Sequence, residues 1–119
     1  MKLKIAYIAH PVSGDVKGNI EKIRSIVREI NLNEPKTVPF VPYLSDLMAL
    51  DDSIPEERER GIKNNIRLIQ SGIVDELRLY GDKVSKGMLA EISLAKSLNI
   101  RVRSFSESSI DYDSVIGCL

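Results

Sequence analysis

The stretch VSKGMLAEISLAKSLNIRV, residues 84–102, holds an acid in an unusual setting. If the segment is helical, the residues three and four positions from Glu91 are Gly87, Met88, Leu94 and Ala95, and none is a cation. A glutamate on a solvated face ordinarily finds one within that reach. A carboxylate among small and apolar side chains is costly unless it is satisfied. Such groups concentrate at functional sites, although structural hydrogen-bond networks bury them too. Ser85 and Gly87 open the same segment. Ser85 suits a helix cap, its hydroxyl on a backbone N–H two or three residues on. It equally suits an anion held at the helix start, where Gly87 lets the backbone approach and the macrodipole favours negative charge. Asp75 is an acid among Ile73, Val74 and Leu77, read either as an anchor for loop N–H groups at a sheet edge or as a ligand contact. Tyr7 stands in an apolar run, either as core with a polar tip or as a hydroxyl aimed into a crevice. His10 is the single histidine; it makes no metal site alone and no Ser or Cys nucleophile motif accompanies it, which leaves a loop contact or a pocket wall.

The pattern of the chain supplies elements to bring these groups together. Residues 3–9 (LKIAYIA) are a short apolar run ending in HPVSGD, which predicts a buried strand entering a Pro/Gly loop. From Asp15 the isoleucines and valine at 20, 23, 26, 27 and 30 recur at helical spacing. Residues 36–44 read as a second extended segment, shortened or made irregular by Pro39 and Pro42. Residues 45–53 are a loop or a short helix. Ser53 then reads as a cap before Pro55, Glu56 and Glu57, opening a helix with Ile62, Ile66 and Ile69 on its inner face. Most charges of that helix belong to a solvated face, with Arg58 or Arg60 within possible reach of a ligand. Residues 73–81 predict a third strand, and residues 100–105 a fourth after the Glu91 helix. The tail from about 104 is polar and then weakly apolar: a short element, a docked tail or a disordered end. Four strand–helix alternations argue for a three-layer α/β domain with a mainly parallel sheet. Ligands in such sheets sit beyond the carboxyl ends of the strands, and two glycine- and serine-bearing loops, AHPVSGDVKGN and YGDKVSKG, leave strands at that edge and open helices.

Composition narrows the classes. A chain of 119 residues fits one domain with a real core, and 43% hydrophobic with 29% charged residues is ordinary for a globular protein. The 17 basic and 17 acidic residues cancel, which favours neither nucleic acid nor an anionic membrane as a bulk partner. Cys118 is the single cysteine, so an intrachain disulfide is excluded, a zinc site has too few ligands, and a reducing cytoplasm is the expected compartment. No apolar run approaches the ~18 to 20 residues of a membrane span, and the N-terminal MKLKIAYIAH reads as a first strand rather than a leader.

Taken together, IAYIAHPVSGD, VPFVPYL, PEERERG, VDELRLYG and SKGMLAEISLAKSLNI resemble the nucleoside 2-deoxyribosyltransferase-like superfamily, in particular its small, often phage- or prophage-encoded members. The resemblance covers roughly residues 2–102. Its most specific segment is Gly-Met-x-x-Glu-Ile-x-x-Ala at Gly87, Met88, Glu91, Ile92 and Ala95. It implies a flavodoxin- or Rossmann-like sheet of about four to five strands in a single domain. It implies, too, that Glu91 is a nucleophile on the anomeric carbon of a 2-deoxyribosyl group. Displacement of the base leaves a glycosyl-enzyme, resolved by a second base in a transferase or by water in a hydrolase. Tyr7 would orient the nucleophile and Asp75 would stand near the sugar or base. Ser85, six residues before Glu91, would help bind a 5′-phosphate, as in the related hydrolases of 2′-deoxynucleoside 5′-monophosphates, together with Gly87 and the loop of Ser13, Gly14 and Asp15, and Met88, His10 and Pro11 would be further substrate contacts. The family's acid on the second helix is replaced here by Asn64 or Asn65, and His10 replaces a usual glycine. No metal or organic cofactor is required, because the glutamate itself supplies the covalent route. The resemblance further implies a nucleoside or nucleotide ligand and a homodimer or higher assembly. A non-catalytic binder that senses or sequesters a nucleotide on the same scaffold is the alternative, and a structural or interaction protein with a vestigial pocket is a third.

Overall fold

The computed structural model describes residues 2–105. Four parallel strands, β1 (Lys4–Ala9), β2 (Thr37–Phe40), β3 (Glu76–Leu79) and β4 (Arg101–Ser104), lie in the order β2-β1-β3-β4. They alternate with α1 (Val16–Asn33), α2 (Tyr43–Ala49), α3 (Pro55–Gln70) and α4 (Lys86–Ser97). The parallel α/β class expected from the alternation is therefore present, and the expectations for the tail beyond residue 105 fall outside the described residues. The register places Ala6 beside Glu76 and Ile8 beside Arg78, so successive residues of β1 and β3 face opposite sides. Tyr7, Ala9, Leu77 and Leu79 look toward Ile69 of α3 and Met88, Ile92 and Ala95 of α4, in one buried cluster with Tyr43. Ala6 and Ile8 look the other way, onto Ile30 and Ile26 of α1. Helices on both faces give three layers, and each fully buried Ile or Leu contributes on the order of 1.5–3 kcal/mol.

Several boundaries move, for local reasons. The two prolines hold β2 to four residues, and of the loop and short helix expected over residues 45–53 it is the helix that forms, as α2, starting at Tyr43. Ser53 does not cap α3. The N-cap is Ile54 with Pro55 in the first turn, while Ser53 donates both its N–H and its hydroxyl to Asp51 Oδ1, at 2.9 and 2.6 Å. β3 begins at Glu76 rather than 73, and its four residues are all buried. The strand order reverses direction between β1 and β3, the switch point where the carboxyl ends of neighbouring strands part and open a crevice. Gly81 fixes that edge. Its φ is +96°, and a Cβ there would stand 2.6 Å from Pro11 Cδ, so only glycine lets the loops after β1 and β3 pack together. Among the described residues no helix is long and apolar enough to cross a membrane.

Candidate functional site

A cavity of about 730 Å³ opens at this switch point, walled by α2, α3, α4 and the loop after β1. Its size is that of small-molecule sites. The α3 isoleucines expected to face inward explain part of it. Ile69 is buried, but Ile62 and Ile66 remain 46% and 38% exposed because they face the cavity rather than packed core.

Glu91 is at the cavity wall and partly buried, one and a half turns into α4. Its Oε2 accepts a hydrogen bond from the hydroxyl of Tyr7, which rises from the centre of β1 and is itself fully buried. Among the described residues no cation pairs with Glu91. Burial therefore dominates and pushes its carboxyl up to about 7, against the smaller downward pull of the Tyr7 bond. The tyrosine moves in the same sense: burial first, then the charge and hydrogen bond of Glu91, hold its hydroxyl protonated far above the usual range. The Tyr7 ring is fixed edge-on to Phe40 and tilted against Tyr43, with centroids 6.2 and 6.0 Å away. Tyr43 in turn donates to the Ile8 carbonyl at 2.6 Å and lines the cavity. The result is a carboxylate held by one neutral donor on a rigid aromatic base.

The start of α4 adjoins it. Ser85 caps the helix, accepting from Met88 N–H at 3.2 Å, and Ser85, Lys86, Gly87 and Met88 all line the cavity. A Cβ on Gly87 would meet nothing closer than Ser85 Oγ at 4.0 Å, so no protein atom requires glycine there, and the space is open. Free N–H groups, a lysine and room for an oxyanion coincide at this helix end. Across from it, His10 is only 6% exposed. Its Nδ1 lies 2.6 Å from the Pro11 carbonyl, and burial outweighs that bond to lower its pKa, which keeps the ring neutral at neutral pH.

Of the residues singled out in the sequence, the structure brings Glu91, Tyr7, Ser85, Gly87, Met88, His10, Ser13 and Asn65 to the cavity or its base. Asp75 is a correction. It precedes β3, at the amino edge of the sheet, and its Oδ2 accepts from Ile5 N–H at 2.8 Å. A parallel strand puts its two ends at opposite edges, so this carboxylate stands at the edge away from the cavity, which it does not line, and takes the anchoring one of its two expected roles. Pro11 packs on Gly81, Gly14 serves a turn at φ +96°, and Asp15 caps α1 through Gly18 N–H at 3.1 Å; none of the three lines the cavity. Asn64 also stands off it, with Nδ2 3.4 Å from both oxygens of Asp46. Asp46, Tyr43 and Leu47 of α2 are cavity residues that the sequence reading passed over. The signal was faint: a tyrosine and an acid three residues apart in a segment without clear period. Arg58, not Arg60, reaches the cavity.

The fold and site together define a parallel α/β domain with an open, mostly apolar cavity at its topological switch point. Residues 4–105 match the family model described as a domain of unknown function, DUF7768, and the chain belongs to that family. No curated protein matches the sequence.

Proposed function

We propose that the protein cleaves or transfers the N-glycosidic bond of nucleosides or their 5′-monophosphates, with Glu91 as nucleophile. The observation that carries this is the Glu91 carboxyl, unpaired with any cation among the described residues, bonded by Tyr7 and facing a cavity large enough for a nucleotide. In the first step a Glu91 oxygen forms a bond to the anomeric carbon as the carbon–nitrogen bond breaks. The electron pair leaves on the base nitrogen, which takes up a proton. Water then attacks the same carbon and frees the sugar, its proton passing to solvent, or a second base collects the sugar. Poor solvation raises the energy of the carboxylate before attack, and Tyr7 holds its second oxygen still. The Ser85–Gly87 helix start suits a 5′-phosphate, and Ser13 faces it from the first loop. The unassigned remainder of the reading, a homodimer or higher assembly in the cytoplasm, belongs to the same proposal.

The test is to incubate the protein with 2′-deoxynucleoside 5′-monophosphates and follow free base by chromatography. Base release by the wild type and its loss in both Glu91→Ala and Glu91→Gln is the expected result. Release unchanged by either substitution ends the mechanism. Tight binding with every nucleotide recovered intact favours a sensor or sequestering protein instead. A saturating ligand at 100-fold over its dissociation constant adds about 2.7 kcal/mol of stability, so a melting temperature indifferent to all nucleotides points to a vestigial pocket.

A further inference from the structure

The second step above leaves one proton without an acceptor on the protein: water must lose it while attacking the anomeric carbon. That attack comes from the side opposite the Glu91 bond, which the base has vacated. α3 packs against both α2 and α4, so the cavity separates an α2 wall from the α4 wall that carries Glu91. Asp46 belongs to the α2 wall. It follows Tyr43 by three residues, on the same face of the helix, and the Tyr43 ring lies 6.0 Å from that of Tyr7, the donor to Glu91. The two carboxylates therefore stand on separate walls of one cavity, joined at its base by the tyrosine pair.

Asp46 is held in place with acceptor capacity to spare. Asn64 Nδ2 lies 3.4 Å from each of its oxygens, and among the described residues no cation pairs with it. A carboxylate has about four lone-pair sites, and one long amide contact leaves most of them open. Gly61 also lines the cavity, and a Cβ there would meet Oδ2 only at 4.0 Å, so this oxygen borders a bare stretch of wall. The other candidates for the proton are engaged elsewhere. Glu57 accepts the Asp51 N–H at 3.0 Å, and Asp52 and Glu57 both border a second hollow beside the end of α2. His10 turns Nδ1 to the Pro11 carbonyl and Nε2 toward Gly81, where a Cβ would stand 3.4 Å away.

We infer that Asp46 is the general base of the hydrolytic step. This rests on the glycosidase reading above. The water oxygen forms its bond to the anomeric carbon as the bond from that carbon to Glu91 breaks, and the electron pair returns to the Glu91 carboxylate. The proton of the water passes to Asp46, which later gives it up to solvent. Departure of the base in the first step does not involve Asp46.

The experiment gives Asp46→Asn and Asp46→Ala proteins the 2′-deoxynucleoside 5′-monophosphate that the wild type cleaves fastest among those of the four DNA bases. Asp46 is half-buried and its contacts to Asn64 are long, so both variants should keep the circular dichroism of the wild type. In rapid quench each should release about one base per protein in a burst at the wild-type rate. Turnover after the burst should fall about 10²- to 10⁴-fold. The protein mass should rise by one deoxyribosyl phosphate, carried on the peptide that holds Glu91. Azide, a nucleophile with no proton to lose, should then restore turnover and appear in the product as a glycosyl azide. Turnover unchanged in both variants overturns this inference, as does loss of burst and turnover together with no adduct and no response to azide; either leaves the glycosidase reading standing. A wild type that releases no base from any of the four nucleotides overturns both.

Discussion

At the scale of single residues, the Glu91–Tyr7 pair joins chemistry to stability. The folded state raises Glu91 to about 7 from an ordinary value of 4.5, so between those values the native protein holds a proton that the unfolded chain has lost. The stabilisation is full below pH ~4.5 and disappears as pH rises through ~7, a change on the order of 3 kcal/mol. Glu91→Gln cannot ionise. It should therefore melt above the wild type at pH 8 in scanning calorimetry, with the gap closing toward pH 5. Under the proposed mechanism, kcat/KM of the wild type rises with pH through the same region, because only the carboxylate attacks. A melting gap independent of pH would place the charge in water and remove the basis for both expectations. Glu91 was legible in the sequence because its signal is local: four helix neighbours without a cation declare its environment. Asp75 misled for the opposite reason. An acid beside apolar residues marks a strand end but not which end, and the start of β3 at Glu76 decides that.

At the scale of elements, the parallel alternation was legible because hydrophobic period and the Pro/Gly breaks act over a few residues. The placement of α2 against α3 was not, since it rests on Asp46 and Asn64, eighteen residues apart, meeting in space. The N-terminus of α4 is the element whose sequence and structure agree most closely. Ser85 both caps the helix and faces the cavity, so Ser85→Ala separates two effects. Loss of the cap should cost about 0.5–2 kcal/mol in urea unfolding. If the hydroxyl also meets a 5′-phosphate, KM for a deoxynucleoside monophosphate should rise about tenfold while KM for the free deoxynucleoside stays within twofold, as expected for one charge-assisted hydrogen bond. An equal rise for both substrates would confine Ser85 to the cap.

At the scale of the whole molecule, the sheet divides its labour between faces. The side toward α3 and α4 holds the cavity, whereas the side toward α1 buries an ion cluster centred on Arg78, which is 1% exposed. Arg78 Nε donates to Glu76 at 2.6 Å, and its other nitrogens form a fork onto Glu34 at 3.0 and 2.8 Å, just past the end of α1. Lys4 and Arg103 approach Glu76 at 3.3 and 3.4 Å, and the Arg78 guanidinium lies 4.5 Å above the Phe105 ring. Burial alone would raise Glu76 and lower Arg78, yet the mutual bonds win: Glu76 is held below and Arg78 above its ordinary value. The sequence carries the mark of this cluster in Glu-Leu-Arg-Leu, an acid and a base on one face of a central strand. Its role is to tie the end of α1 to β3, which fixes the β1–β3 edge from behind without lining the cavity. Arg78→Leu strands Glu76 with only its two outer cations, and should cost about 3 kcal/mol or more in urea unfolding. Glu76→Leu/Arg78→Leu removes both buried charges of the central pair and should recover part of that loss. Nucleotide affinity per folded molecule should be unchanged in either protein, because the cluster and the cavity lie on opposite faces. A single variant within about 1 kcal/mol of the wild type would show that the cluster is solvated rather than structural.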